Sequence, residues 1–270
     1  MVVVTAATGN FFGGIHMLAI ERRNAILTKL QEEKKVVVSD LSILFNVTEE
    51  TIRRDLEKLE NEGLAKKTYG GAVINESLNI DVPYIVRKKA NVTAKQYIAD
   101  IIGNMIEDGD HIILDGSSTA LFVSKRIKDK KNITVITNSV EILLELSDRK
   151  DWNILSTGGS LKEGGLSLVG YQAERMISQF HVDCAVFSSK GVDLVNGVTD
   201  SNESDAQIKK LILKAAKKRI LAVDSSKFDK TSFTKICELS DIDMIVTDTK
   251  PGEGWEQVLN DSGVEIIYNK

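Results

Sequence analysis

Between Leu18 and Gly63, apolar residues recur at helical spacing in three bursts, which predict three helices. In the first, Ile20, Ile26, Leu27 and Leu30 are expected on one stripe, and the pattern dissolves in the charged run Glu32 to Lys35. Ser39 is placed to cap a second, short helix whose Leu41, Leu44 and Phe45 face inward. Asn46-Val47 then makes a tight turn, and Thr48 is placed to cap a third helix. There Ile52, Leu56 and Leu59 fall at i, i+4 and i+7, so one stripe is buried while Thr51, Arg53, Arg54, Glu57 and Lys58 point elsewhere. Two helices joined by so short a turn predict a helix-turn-helix. After Gly63 the period shortens: Leu64 to Val73 reads as two strands about Tyr69-Gly70-Gly71, a β-wing carrying Lys66, Lys67 and Thr68.

The pattern lapses over Asn75 to Val92, which holds Pro83 and the run Arg87-Lys88-Lys89, and the interdomain connection is placed at 75–92. From residue 93 to residue 270, short β-rich runs alternate with amphipathic helical ones. Strands are expected at His111 to Leu114, Ile133 to Ile136, Asn153 to Leu155, Cys184 to Phe187, Ile220 to Val223, Met244 to Val246 and Val264 to Ile267. Helices are expected at Ala94 to Ile106, Ala120 to Ile127, Val140 to Leu146, Tyr171 to Ile177 and Asp205 to Ala216. Such alternation predicts a parallel sheet covered by helices on both faces, a Rossmann-like α/β domain, behind a winged helix-turn-helix at 17–74. Residues 1–16 lack the basic flank and long apolar stretch of a signal peptide and read as a leader or tag before a natural start at Met17.

Composition narrows the class of function. With 42% hydrophobic and 27% charged residues among 270, and no apolar run approaching a membrane span, a cytoplasmic protein without membrane association is expected. Cys184 and Cys237 are far apart, and His16, His111 and His181 are scattered, so no disulfide framework, metal site or cofactor is predicted. The net charge of -4 excludes a chain coated in positive potential, so any nucleic-acid contact is local.

A helix fits the major groove, where arginine can donate two hydrogen bonds to guanine and short hydroxyl side chains approach other base edges or phosphates. Arg53, Arg54 and Thr51 occupy the N-terminal half of the third helix, the half that enters deepest. Lys58, Lys66, Lys67 and Tyr69 suit phosphate anchoring, and Ser39 and Thr48 offer hydroxyls or first-turn amides to phosphate. The alternative is a solvated face on which Arg53 and Arg54 merely pair with Glu50 or Glu57. Under the first reading the partner is operator double-stranded DNA, and a homo-oligomer, dimer or tetramer, places two such helices on related half-sites.

In an open α/β sheet, ligands bind beyond the carboxyl ends of the strands, where loop amides and helix N-termini converge. Asp115, Gly116, Ser117, Ser118 and Thr119 follow a predicted strand and open a helix, so their amides and hydroxyls are candidates to hold phosphate oxygens. Thr137, Asn138 and Ser139, and then Gly158 and Gly159 within Thr157 to Ser160, repeat that placement after the next two strands, although such residues also cap helices for structural reasons alone. Lys190 and Lys227 stand at two further strand ends and can neutralise a phosphate, or else are solvated or paired with a nearby carboxylate such as Asp193 or Asp229. Asp200 and Glu203 can accept hydrogen bonds from sugar hydroxyls or cap the helix from Asp205.

The run Thr51-Ile52-Arg53-Arg54-Asp55-Leu56, followed by Leu59, Gly63 and Gly70-Gly71-Ala72, resembles the N-terminal signature of the DeoR/GlpR family of bacterial repressors. The resemblance continues through Asp115 to Thr119, Thr137 to Ser139, Gly158-Gly159 and Asp224-Ser225-Ser226-Lys227 in the same order, while Lys190 departs from the small or amide residue of many members. Lys95 matches a recurrent family lysine, though ordinary solvation accounts for it equally. It implies a transcriptional repressor of a sugar-catabolism operon, released by a phosphorylated sugar or related metabolite, with a C-terminal domain resembling ribose-5-phosphate isomerase and glucosamine-phosphate deaminase. The alternative is a sugar-phosphate isomerase or deaminase with an appended DNA-binding domain, using Asp115, Asp200 or Glu203 as general base beside Lys190 or Lys227.

Overall fold

The computed structural model describes residues 17–75 and 81–269, and the expected leader at 1–16 lies outside the described residues. The chain divides into two compact units, with the boundary between Ile74 and Asn75.

The first unit runs α1 (Ala19–Glu33), β1 (Lys35–Val37), α2 (Val38–Phe45), α3 (Glu49–Asn61), β2 (Ala65–Thr68) and β3 (Gly71–Ile74). Lys34 turns left-handed and stops α1, its N–H bonding the Leu30 carbonyl. Ile26, Leu27, Leu30, Leu41, Ile52, Leu56 and Leu59 are buried together, each stabilising the fold by roughly 1.5–3 kcal/mol. Two expected core residues are exposed. Ile20 lies off the stripe that Ile26, Leu27 and Leu30 define, and Leu44 lies beside the α2 stripe of Val38, Leu41 and the half-buried Phe45.

Ser39 does not cap α2: β1 runs straight into the helix, so extended Val37 takes the cap position and Ser39 falls in the first turn. Thr48 does cap α3, accepting the Thr51 N–H at 3.2 Å. The unforeseen strand β1 joins the wing as an antiparallel sheet in the order β1-β3-β2.

The second unit begins with two helices. Residues 84–89, placed in a connection by their lack of periodicity, form α4 (Tyr84–Lys89), anchored by a wholly buried Tyr84, and α5 (Val92–Met105) follows. Then come β4 (His111–Leu114), α6 (Ser118–Arg126), β5 (Thr134–Thr137), α7 (Val140–Leu146) and β6 (Asn153–Ser156). A small hairpin, β7 (Ser160–Leu161) and β8 (Leu168–Val169), precedes α8 (Tyr171–Ile177) and β9 (Val182–Phe187). The remainder is β10 (Gly191–Asp193), β11 (Gly197–Asp200), α9 (Glu203–Ala215), β12 (Ala216–Ala222), β13 (Thr234–Cys237), β14 (Met244–Thr249), α10 (Trp255–Asp261) and β15 (Glu265–Asn269).

All seven expected strands form one parallel sheet, ordered β15-β14-β12-β9-β4-β5-β6. Alternation along the strands divides the core. Ile112 and Leu114 pack with α5, α6 and α7 on one face, and Ile113 packs with α8 and α9 on the other. From β4 the chain winds outward through β5 and β6, then returns to β9 on the other flank of β4. The β4–β9 junction is therefore the switch point, where a crevice opens beyond the carboxyl ends of an α/β sheet.

Candidate functional site

In the first unit the Thr48 cap fixes the start of α3, and the stripe of Ile52, Leu56 and Leu59 fixes its rotation. A fourth buried residue, Asp55, binds Arg22 of α1 at 2.5 Å, with Arg23 at 3.8 Å, and locks α1 to α3. With that face committed, Arg53 and Arg54 stand in solvent. Each pairs with the glutamate four residues earlier, Arg53 to Glu49 at 2.7 Å and Arg54 to Glu50 at 3.2 Å. Pairing on a solvated face is therefore present, although with Glu49 and Glu50 and not with Glu57. Exposed pairs of this kind contribute about 0.3–0.5 kcal/mol, so they give way readily to a phosphate or a base.

Thr51 is half-buried beside Thr48, their hydroxyls 2.9 Å apart, while Ser39 and Lys58 are exposed. Lys66 and Lys67 lie exposed on β2, with Lys67 3.7 Å from Glu60. Tyr69 projects from the wing tip, fully exposed beside left-handed Gly70. The next glycine has a different role: a Cβ on Gly71 would lie 2.1 Å from the Val36 carbonyl oxygen, so β1 and β3 approach as they do only because that atom is missing.

In the second unit Asp115, Ser117, Ser118, Thr119, Thr137, Asn138 and Ser139 gather, buried, beyond β4 and β5. Several of their polar atoms already serve the fold. Ser117 caps α6 and Ser139 caps α7; Thr137 donates to the Leu114 carbonyl and accepts from the Ser139 N–H. Asp115 accepts the Ser117 and Ser188 N–H groups, each at 3.1 Å, and so staples β4 to β9 across the switch point. Ser118 and Thr119 hydroxyls make no hydrogen bond among the described residues. Gly116 is required by close packing, since a Cβ there would lie 2.8 Å from the Ser167 Cβ. Gly158 and Gly159, both left-handed, follow β6 but lead into the β7–β8 hairpin and not into a helix, so no helix N-terminus stands behind them.

Charged groups complete the crevice. Lys209 of α9 binds Asp200 and lies 3.8 Å from Asp115. Lys162, after β7, binds Asp205 at 2.6 Å and also Asp81, and Asp81 in turn accepts from Lys190 at 2.8 Å. Burial pushes the Lys190 ammonium down to about 7, assisted by Arg87 and opposed by Asp81 and Asp200. Burial would raise the Asp81 carboxyl, but Lys190 and Lys162 override it and hold that group far below the usual carboxylate range. Burial raises Asp115 despite Lys209.

The alternative reading of Lys190, a pair with a carboxylate, is met by Asp81 and not by Asp193, which accepts N–H groups in its own β-turn. Asp200 is committed to Lys209 and does not cap α9; Asn202 does, and Glu203 lies exposed in the first turn. Lys227 is half-buried without an ion pair among the described residues, where its charge helps to depress Asp224. Lys95 is not solvated: it is buried, donating to the Arg87 and Ala90 carbonyls. Among the described residues four buried polar side-chain atoms have no hydrogen-bond partner: Tyr84 OH, Asn138 Oδ1, Ser189 Oγ and Arg149 Nε.

Residues 22–78 match the DeoR-like helix-turn-helix domain, and residues 90–249 match the DeoR C-terminal sensor domain. The chain belongs to the DeoR family. An uncharacterized HTH-type transcriptional regulator of Bacillus subtilis, YulB, is 39% identical over 250 residues, covering 93% of this chain and 96% of that protein. The B. subtilis transcriptional repressor GlcR is 33% identical, covering 93% and 96%, and the L-fucose operon activator of Haemophilus influenzae is 34% identical, covering 84% and 91%. Among solved structures, a ribose 5-phosphate isomerase of Methanocaldococcus jannaschii aligns over 50% of this chain and 53% of its own, with 16% identity and a TM-score of 0.37, too slight a likeness to carry an argument about activity.

In this DeoR-family chain, the expected polar residues after β4 and β5 lie together, whereas Gly158-Gly159 lead into a hairpin and Glu203 is exposed; Asp81, Lys162, Asp205 and Lys209 escaped a reading of local motifs. These last four lie in segments whose local pattern is that of surface loops or a helix flank. The signal available was faint: Asp205 and Lys209 sit at i and i+4 on one helix.

Proposed function

We propose that this chain is a repressor that occupies the operator of a sugar-catabolism operon and leaves it when a phosphorylated sugar or related metabolite fills the crevice. The observation that carries this reading is the pairing, in one DeoR-family chain, of an outward-facing Arg53 and Arg54 with a switch-point crevice. That crevice holds half-buried, ion-paired lysines beside buried polar atoms that lack partners among the described residues. Arg53, Arg54 and Thr51 read bases; Lys58, Lys66, Lys67, Tyr69, Ser39 and Thr48 hold phosphates. Relatives bearing the words repressor and L-fucose operon activator support a role in sugar-dependent transcription.

The chain acts as a cytoplasmic homo-oligomer, dimer or tetramer, and carries out no reaction of its own. Among the described residues no helix is long and apolar enough to cross a membrane. An isomerase or deaminase would need a free general base in the crevice. Asp200 is neutralised by Lys209, both oxygens of Asp115 already accept backbone N–H groups, and Glu203 faces solvent.

The test is an anisotropy titration of the full chain with its own promoter at low ionic strength, repeated with fructose, tagatose, deoxyribose, glycerol and inositol phosphates. Salt-sensitive binding that one of these esters relieves is expected. Absence of any promoter binding at low salt overturns the repressor reading, and turnover of an ester without an effect on DNA favours the enzyme.

A further inference from the structure

Asp81 is the residue of the crevice that comes from furthest outside it. It belongs to neither the sheet nor its covering helices, yet its carboxylate binds both Lys162 and Lys190, to which it is linked across 81 and 109 residues of sequence. Directly after it, Arg87 Nε donates to the Val82 carbonyl, the Tyr84 N–H donates to the Gly164 carbonyl at 2.9 Å, and the Tyr84 ring is wholly buried. Lys162 keeps a second partner in Asp205, whereas Lys190 has no ion pair other than Asp81 among the described residues. The hydroxyls of Ser189, next to Lys190, and of Tyr84, just after Asp81, are buried without partners, as is Asn138 Oδ1. Buried polar atoms are normally satisfied, and three of the four exceptions among the described residues, all but Arg149 Nε, belong to segments that carry Asp81, Lys190 or the loop after β5, where a polar molecule can complete the bonding.

We propose that Asp81 is an internal counter-ion occupying an anion subsite formed by Lys190 and Lys162, and that an anionic, hydroxyl-bearing metabolite binds by displacing its carboxylate. This rests on the sensing role proposed above and adds to it a route of communication. Exchange of one anion for another leaves the lysines charged and paired, so a phosphate ester can compete where a neutral sugar cannot. Asp81 stands near the N-terminal end of the sensor unit, which begins at Asn75, so its release changes what holds that end of the unit. The ligand thus acts by a differential interaction with two states of one residue, the condition that coupling between two sites requires.

The experiment measures binding of inorganic phosphate to the full chain by calorimetry, in the parent protein, in Asp81→Asn, in Asp81→Glu and in the double variant Asp81→Asn/Lys190→Met. Loss of the internal competitor is expected to tighten phosphate binding at least tenfold in Asp81→Asn. Asp81→Glu keeps the charge and stays near the parent, and the double variant loses the gain. Parent and Asp81→Asn binding phosphate equally, or neither binding it, overturns the proposal; unchanged circular dichroism in all four chains shows that folding is not the cause. Promoter affinity is measured in parallel. Weaker operator binding by Asp81→Asn without any metabolite supports a role for Asp81 in communication with the DNA-binding unit, and unchanged binding overturns that part. A parent chain that ignores its promoter sinks the repressor reading while leaving the phosphate comparison standing.

Discussion

Adjacent residues on α3 carry opposite obligations. Arg54 is held only by an exposed glutamate, so its removal costs the fold almost nothing, whereas loss of a bidentate base contact costs about 1–3 kcal/mol. Arg54→Ala is expected to weaken operator binding by tenfold to a hundredfold, or to abolish it, with metabolite affinity intact; unchanged operator affinity by anisotropy would remove Arg54 from the interface. Asp55, one position on, is buried against Arg22. Asp55→Ala strands a buried guanidinium and should cost about 3–5 kcal/mol in urea unfolding of the reading head, against a negligible change for Arg54→Ala. Lys190 invites a test in pH. Its ammonium is pushed down to about 7 by burial, with Arg87 adding to the effect, so below that pH the cation is in place and above it the free amine is neutral. An anionic ligand binds the charged form. Affinity should therefore fall as pH rises from 7 towards 9, by at most about tenfold per unit, with proton uptake on binding. Calorimetry in buffers of different ionisation heat at pH 8 reads that uptake, and a pH-independent affinity argues against contact between Lys190 and the ligand.

At the scale of elements, the wing depends on a glycine whose importance no single-strand pattern discloses. Gly71→Ala forces a methyl group into the Val36 carbonyl, so β1 must leave β3. Gly70→Ala meets nothing within 4 Å and bears only the strain of its positive φ, about 1–2 kcal/mol. Chemical denaturation should therefore rank Gly71→Ala as the more damaging of the two, and the reverse order would mean that β1 gives way easily. The same example explains what was legible beforehand. The helix-turn-helix stripe and the seven core strands repeat locally, because each buries one face against a neighbour, and residues such as Ile52, Leu56 and Ile112 announce it. Three-residue β1 does not, since Lys35-Val36-Val37 is too short to establish a period and sits at the end of a charged run. The site divides likewise. Small polar residues after β4 and β5 are readable from strand-loop-helix order, but the Asp81–Lys162–Asp205 pairing joins positions 43 and 81 residues apart and exists only once the sheet is assembled.

For the whole molecule, acidic and basic side chains balance across residues 17–75, so bulk charge gives no promoter affinity and the proposed reading rests on the placement of Arg53, Arg54, Lys66 and Lys67. Each unit also has its own hydrophobic core, one around Ile26 and Leu56, the other on both faces of the parallel sheet. Two cores within one chain imply two thermal transitions whose responses to ligands can be separated. A metabolite that binds only the folded sensor unit adds RT ln(1 + [L]/Kd), about 2.7 kcal/mol at a hundredfold excess over Kd, and for a unit of this size raises its midpoint by roughly 5–10 °C. Operator DNA should raise the other transition. Because coupling between sites is reciprocal and typically about 1–3 kcal/mol, adding both ligands together should shrink each shift relative to its value alone. Calorimetric scans with metabolite, with operator and with both measure this directly. Shifts that simply add would mean that the two sites do not communicate, and a release mechanism would then have no thermodynamic basis.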